Sequence, residues 1–174
     1  MKHEITFIHD VRKNLLDTVA GFSDEQLNEK VKEDKWSIMQ VLDHLYLIEM
    51  SITKTIQKIL KNGETVSIAP KPIQYTVDRS TKVEAPSYVA PTDDFLTLEA
   101  VKEKLKNSRT ALLQVIEQTS EEKLQEKGFP HPIFGLMSLD QWIPFIGYHE
   151  KRHIAQIEEL IELKSRQMNE SGTK

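Results

Sequence analysis

Four long stretches of this 174-residue chain carry apolar residues at steps of three and four, the spacing that places side chains on one face of an α-helix. They run from Ile5 to Phe22, from Ile38 to Ile59, from Leu98 to Ile116 and from Trp142 to Leu160. Because each stretch has one apolar face, the four faces are best buried against one another. The pattern predicts an all-α fold, a four-helix bundle with a long crossover between the second and third helices.

Helix start and stop signals divide the chain further. A serine followed by a glutamine three residues later, the capping-box pattern, occurs at Ser23–Gln26, Ser37–Gln40 and Ser138–Gln141. The first pattern predicts a short helix, and the other two begin the second and fourth long helices. Asn62-Gly63 ends the second helix, and Thr119 with Glu122 predicts another short one.

The fourth helix is expected to run through Leu163, and Pro144 inside it is expected to bend it. The polar residues 165–174 are predicted to form a flexible C-terminal tail. The bundle domain is therefore assigned to residues 1–164.

Residues 64 to 96 differ in character, because prolines at four positions exclude a continuous helix: Pro70, Pro72, Pro86 and Pro91. A connection of this length is usually functional or wrapped across a surface. Within it, IQYTV at residues 73–77 has the composition of a short strand. Residues 128–135, GFPHPIFG, are predicted to be a turn-rich link.

Composition excludes several classes of function. With 23 basic and 27 acidic residues the formal net charge is −4, so no nucleic-acid partner is predicted. No apolar run approaches the ~20 residues of a membrane span, and no signal peptide is apparent, which makes a cytoplasmic location the expectation. The chain has no cysteine, so disulfides, thiolate metal ligands and a cysteine nucleophile are excluded.

Residues 149–153 match H-E-x-x-H, a zinc signature of metalloproteases. His149 and His153 fall within the apolar stripe of the fourth helix, and residues four apart share one face. His44 falls within the apolar stripe of the second helix. Three inward imidazoles from two helices can hold a divalent metal ion and leave a position open for water or substrate. The alternative is that these histidines are hydrogen-bonded core residues.

The remaining histidines and two arginines are expected to lie outside that site. His3 and His9, near the N-terminus, are expected to be solvated or partly packed. His131, between two prolines, is expected in a loop, with the mouth of a pocket as the lesser alternative. Arg79 and Arg109 could bind a carboxylate, although solvated surface positions are the expectation for both.

A peptidase is not predicted, despite the H-E-x-x-H match. Gln156 and Glu159 stand where the extended metalloprotease motif needs glycine and histidine. No sheet is predicted that could bind an extended peptide by strand pairing. Glu150 lies about 100° around the helix from His149, which favours a lateral pair with a neighbouring helix, or contact with solvent on the side of Lys151, over a place above the metal.

Two segments carry a family resemblance. KWSIMQVLDHLYLIE at 35–49 and WIPFIGYHEKRHIAQI at 142–157 resemble the DinB-like superfamily, specifically its YfiT-like branch of metal-dependent hydrolases and bacillithiol transferases. HPIFGLMSLDQW also resembles the segment of that family that leads into the last helix. The resemblance covers roughly residues 5 to 163. It implies a four-helix bundle and a metal triad of His44, His149 and His153, commonly holding zinc or nickel.

The resemblance also implies a reaction. Relatives include thiol transferases that use bacillithiol, mycothiol or glutathione, so a thiol S-transferase or a small-molecule hydrolase is the expected enzyme, with a low-molecular-weight thiol as the candidate co-substrate. The alternative is a non-catalytic metal-binding bundle that acts as a binding or stress-response protein. The predicted partners are a small-molecule substrate and a second copy of the chain in a homodimer, with neither nucleic acid nor membrane.

Overall fold

The computed structural model describes residues 1–81 and 83–171. Four long helices form the bundle within them: α1 (Lys2–Val19), α3 (Ile38–Asn62), α4 (Leu98–Glu117) and α6 (Leu139–Ser171). Two short helices, α2 (Asp24–Asn28) and α5 (Glu121–Glu126), connect them, and β1 (Gly128–His131) pairs with β2 (Gly135–Ser138) in an antiparallel hairpin. The predicted all-α bundle is confirmed, with the hairpin as an addition.

Buried apolar side chains fill the bundle in two adjoining clusters, as the stripes predicted. Each cluster takes side chains from all four long helices. The cluster beside α5 and the hairpin includes Ile8, Ile52, Leu112 and Ile146. The cluster beside α2 includes Leu15, Leu42, Leu105 and Ile157. Helix α3 packs along α4 and α1 along α6, and α3 also contacts α6. That last contact positions the candidate site.

Most predicted helix ends are confirmed. The capping boxes at Ser23 and Ser37 are both formed, and the amide of Gly63 ends α3 by donating to the Ile59 carbonyl at 2.7 Å. The hydroxyl that caps α5 belongs to Ser120 rather than to Thr119. The Ser138 hydroxyl donates to the side chains of Asp140 and Gln141 rather than capping α6, since Ser138 is the last residue of β2.

The crossover between α3 and α4 contains two 3₁₀ turns. Residues 73–77 form one of them, so the strand suggested for IQYTV is wrong, and Ser87–Val89 form the other. Each turn follows a proline, Pro72 or Pro86, whose fixed φ starts a tight turn and whose missing amide cannot join a ladder. Ile73 and Val89 are buried, and they anchor the crossover on the bundle.

The segment predicted as a turn-rich link, residues 128–135, is mostly hairpin. Gly135 begins β2 at φ +69, a conformation that favours glycine. Phe129 on β1 stacks on Trp142 of α6, with ring centroids 4.1 Å apart. The hairpin is therefore packed on the same helix that carries two of the candidate histidines.

Helix α6 is longer than predicted. It continues through Pro144 and ends at Ser171, beyond the predicted boundary at residue 164. Lys164, at that boundary, bonds to the Gln26 carbonyl and lies 3.2 Å from Glu29, which ties α6 to α2. Residues 172–174 of the predicted tail lie outside the described residues. None of the helices in the described ranges is both long and apolar enough to cross a membrane.

Candidate metal centre

The three histidines predicted to face the core meet between α3 and α6. Their candidate ligand nitrogens all lie within 4.8 Å of one another. Nε2 of His149 and Nε2 of His153 are 3.3 Å apart, and the ring centroid of His44 lies 4.9 Å from that of His153. Zinc–nitrogen bonds are about 2.0–2.1 Å long, so two nitrogens bound to one ion lie at most about 4.2 Å apart, and the set must draw slightly closer to bind it. The convergence follows from helical spacing, because His149 and His153 are one turn apart on the face of α6 toward α3.

Hydrogen bonds on the far side of two imidazoles fix their orientation. Nδ1 of His44 lies 2.7 Å from the carbonyl oxygen of Val89, and Nδ1 of His153 lies 2.8 Å from Oε1 of Gln156. Since both partners are acceptors, each Nδ1 carries the proton and each Nε2 offers a lone pair. This arrangement is typical of metal-binding histidines. Nδ1 of His149 is buried without a partner in the described part of the chain.

The electrostatics keep the imidazoles neutral at pH 7. Burial lowers the pKa of His44, against the opposing effect of the Val89 carbonyl. Burial, and then the neighbouring His44, lowers the pKa of His153 to about 3. Burial and the two adjacent histidines hold the pKa of His149 well below its usual range. Neutral imidazoles bind metal ions without first losing a proton, so this donor set fits a divalent ion.

The triad borders a cavity of about 880 Å³, near the upper end of the range for small-molecule sites. Helix α3, the crossover, the hairpin and α6 form its walls, which are mostly apolar. The aromatic side chains lining it include Trp36, Tyr75, Tyr88, Phe129, Trp142 and Phe145. Tyr75 and Tyr88 are exposed, so the cavity opens to solvent on the crossover side.

Two arginines hold the crossover against α6. The guanidinium of Arg152 donates to backbone carbonyls of the crossover, at 3.3 Å for Thr76 and 2.8 Å for Thr81. Arg79, in the crossover itself, donates to both carboxylate oxygens of Glu159 on α6, at 2.8 and 3.1 Å. The sequence predicts a solvated Arg79, whereas its side chain is only partly exposed in the structure.

The prediction of a solvated Arg109 is wrong. Arg109 is buried and donates to Glu49 at 2.6 Å and to Glu150 at 3.2 Å. Arg12 donates to Glu49 at 2.7 Å and to Glu150 at 2.8 Å. Two guanidinium groups and two carboxylates, one from each long helix, therefore form a closed ion-pair network inside the bundle. Ser108 adds a hydroxyl that donates to Glu49 at 2.5 Å.

Glu150 belongs to this network rather than to the histidine site. It pairs with Arg12 of α1 and Arg109 of α4, so of the two alternatives the lateral pair with neighbouring helices is correct. Burial raises the pKa of Glu150, and the two guanidinium groups offset that effect only in part. Burial would also raise the pKa of Glu49, but both arginines and Ser108 outweigh it and lower that pKa. Glu150 does not line the cavity among the described residues, so it is not positioned as the base of a peptidase.

The remaining histidines differ in their surroundings. His3 and His9 are exposed, so of the two alternatives the solvated one is correct. His131, expected in a loop, ends β1 and lines the cavity, so the lesser alternative is correct. Burial lowers the pKa of His131 to about 4.

The hydrogen bond that Gln156 accepts from His153 provides a test of the site. Replacing Gln156 with alanine is expected to weaken metal binding by about 10–100-fold, because His153 loses the acceptor that fixes its tautomer. Competition with a chromophoric zinc chelator measures the affinity. Gln57→Ala, an exposed position on α3, is the matched control and should bind metal as the wild type does. Equal affinities of the two variants would show that Gln156 does not support the site.

Comparisons with known proteins place the chain in a family. The sequence profile of the DinB superfamily matches residues 8–157, a range that includes all three histidines. A Bacillus subtilis protein named "Uncharacterized protein YuaE" is 37% identical over 158 residues, which cover 91% of this chain and 97% of that protein. An Oceanobacillus iheyensis protein named "Putative metal-dependent hydrolase" is 28% identical over 160 residues, covering 92% of this chain and 85% of that protein.

Two solved structures share the fold. The four-helix bundle protein TT2238 superposes with a TM-score of 0.62 at 20% identity, over 91% of this chain and 98% of its own. YfiT from Bacillus subtilis, described as a probable metal-dependent hydrolase with an unusual four-helix bundle topology, also superposes with a TM-score of 0.62. It is 21% identical, and the match covers 97% of this chain and 87% of YfiT.

Proposed function

The chain belongs to the DinB superfamily, and on that premise we propose that it is a metal-dependent enzyme acting on a small molecule, with a divalent ion held by His44, His149 and His153. The observation that carries the proposal is the position of these imidazoles on the wall of a large, solvent-accessible cavity. Three protein ligands leave a coordination position open, which distinguishes catalytic from structural metal sites. A bound divalent ion would lower the pKa of a thiol or water and so supply a nucleophile at neutral pH.

The protein's own side chains prepare that site. Val89 and Gln156 orient two of the imidazoles through their Nδ1 hydrogen bonds. The apolar walls bind the apolar part of a substrate. Arg152 keeps the crossover in place over α6, which maintains the shape of the cavity.

Two reactions fit this arrangement, and we favour transfer of a low-molecular-weight thiol to an electrophile. The cavity of about 880 Å³ has room for a thiol-bearing molecule beside its acceptor, whereas hydrolysis needs only a water beside the substrate. Because the chain lacks cysteine, the thiol must be supplied as a co-substrate. The name of the 28% identical relative favours the second candidate, hydrolysis of a small ester or amide.

The experiment that separates the candidates uses monochlorobimane as the electrophile. Bacillithiol, mycothiol and glutathione are offered separately, with zinc or nickel added after treatment with a chelator. A thiol transferase forms the fluorescent conjugate faster than the uncatalysed reaction of thiol with monochlorobimane only when metal is present, and His44→Ala removes this acceleration. Metal-dependent hydrolysis of esters or amides, without thiol conjugation, supports the hydrolase instead. Metal binding with neither activity across a broad panel would overturn the enzyme proposal in favour of a non-catalytic metal-binding bundle.

A further inference from the structure

His131 presents one edge of its imidazole to the hairpin turn. Its Nδ1 accepts hydrogen bonds from the backbone amides of Ile133, at 3.1 Å, and Phe134, at 3.3 Å. A nitrogen that accepts two amide hydrogens cannot carry a proton. The single proton of the neutral ring is therefore on Nε2, which makes Nε2 a hydrogen-bond donor.

The same ring lies in the wall of the cavity next to the metal site. Its centroid is 4.8 Å from that of Phe145, and the ring of Phe145 is in turn 5.9 Å from that of His149. Among the residues the structure describes, no protein group bonds to Nε2 of His131. Most of the wall area is apolar, and this N–H is a directional polar group available to a molecule bound there.

We infer that His131 is a substrate-binding residue, which donates a hydrogen bond from Nε2 to an acceptor oxygen of the bound substrate. The inference rests on the proposed function in taking this cavity as the substrate site. The lining defines the ligand class as well, because Trp36, Phe129 and Trp142 present aromatic surface. The substrate is accordingly a molecule with an apolar, ring-sized body and a carbonyl or carboxylate oxygen.

The competing account is that His131 only stabilises the hairpin turn. Two substitutions distinguish substrate binding from turn stabilisation, because each preserves the hydrogen-bonding role of only one ring nitrogen. Asparagine places its amide oxygen near the position of Nδ1, so His131→Asn keeps the turn acceptor and removes the ring donor. Glutamine places its amide nitrogen near the position of Nε2, so His131→Gln keeps the donor and removes the turn acceptor.

The test compares acetophenone with ethylbenzene, which has a similar shape but no acceptor oxygen. Affinities are measured by ligand-observed NMR on the full chain as purified, and again after chelator treatment. Wild type should prefer acetophenone, and His131→Asn should reduce that preference about 3–10-fold through loss of one hydrogen bond. His131→Gln should keep most of it. The variants are compared by the ratio of their affinities for acetophenone and ethylbenzene, because a general change in the cavity alters both affinities alike.

Long-range ¹H–¹⁵N spectra at pH 7 provide a readout independent of catalysis. They should show His131 protonated at Nε2, with the Nε2–H resonance moving when acetophenone binds. Protonation at Nδ1, no preference for acetophenone in the wild type, or an unchanged preference in His131→Asn would overturn the inference. Because binding is also measured on the chelator-treated protein, these outcomes can be distinguished from a failure of the proposed metal-dependent activity.

Discussion

Replacing Glu49 with alanine is expected to lower the free energy of unfolding by about 3–5 kcal/mol, a large part of the stability of a domain this size. The Glu49 carboxylate is fully buried and accepts hydrogen bonds from Arg12, Arg109 and Ser108. Without it, two guanidinium groups share the single carboxylate of Glu150 in the interior. An uncompensated buried charge is far more unfavourable than the loss of an exposed ion pair. Urea unfolding followed by circular dichroism measures the change.

Two further variants make this expectation specific. Glu49→Gln keeps the side-chain volume and removes only the charge, so it should be destabilised less than Glu49→Ala and gives a folded sample if the alanine variant does not fold. Asp17→Asn breaks an exposed pair with Lys13, whose atoms are 2.7 Å apart, and should leave the unfolding midpoint nearly unchanged. Similar midpoints for Glu49→Ala and Asp17→Asn would mean that the network does not stabilise the bundle.

Replacing His153 with alanine is expected to weaken divalent metal binding by more than about 100-fold. This loss exceeds the one expected for Gln156→Ala, which removes only the hydrogen-bond partner of His153. The variant retains two imidazoles, from His44 and His149, which are too few to hold the ion tightly. The bundle should persist, because the apolar clusters do not include His153. Isothermal titration with zinc measures the affinity, and circular dichroism confirms the helix content.

Thermal unfolding gives a second readout of the same variant. Added zinc should raise the melting temperature of the wild type, since a ligand that binds only the folded state stabilises it. The melting temperature of His153→Ala should not respond. His9→Ala, an exposed histidine on α1, is the matched control and should behave as the wild type does. A zinc response retained by His153→Ala would exclude His153 as a ligand.

The candidate site could be predicted because helical periodicity fixes the face on which a residue lies. His149 and His153 are four residues apart within an apolar stripe, and they share a face for that reason. To place His44 in the same site, the prediction also assumes that the inward faces of the second and fourth helices meet. The contact between α3 and α6 confirms this assumption. The zinc or nickel preference and the homodimer remain predictions.

The buried ion pairs were missed, although the sequence contains a signal for them. Arg12, Glu49 and Arg109 each follow one buried apolar residue by four positions and precede another by three, so they occupy core positions. Glu150 likewise lies four residues after Ile146. Arginines are ordinarily assigned to the surface. Periodicity places each charge inward, but its partner depends on how the four helices are arranged in space.

The hairpin could not be predicted for a different reason. Strands β1 and β2 have four residues each, too few for a period of two to be distinguished from a loop. Their stability comes from packing, such as Phe129 on Trp142, which local sequence does not show. This part of the fold brings His131 to the cavity, so its position also became clear only from the structure.

The proposed function requires that His44, His149 and His153 together hold one divalent ion. Native mass spectrometry of the untagged full chain, titrated with zinc and separately with nickel, tests that claim most directly. The account predicts one ion per chain, lost when all three histidines are replaced by alanine in a variant whose helix content is unchanged. A wild-type chain that binds no ion, or a triple variant that still binds one, would contradict it.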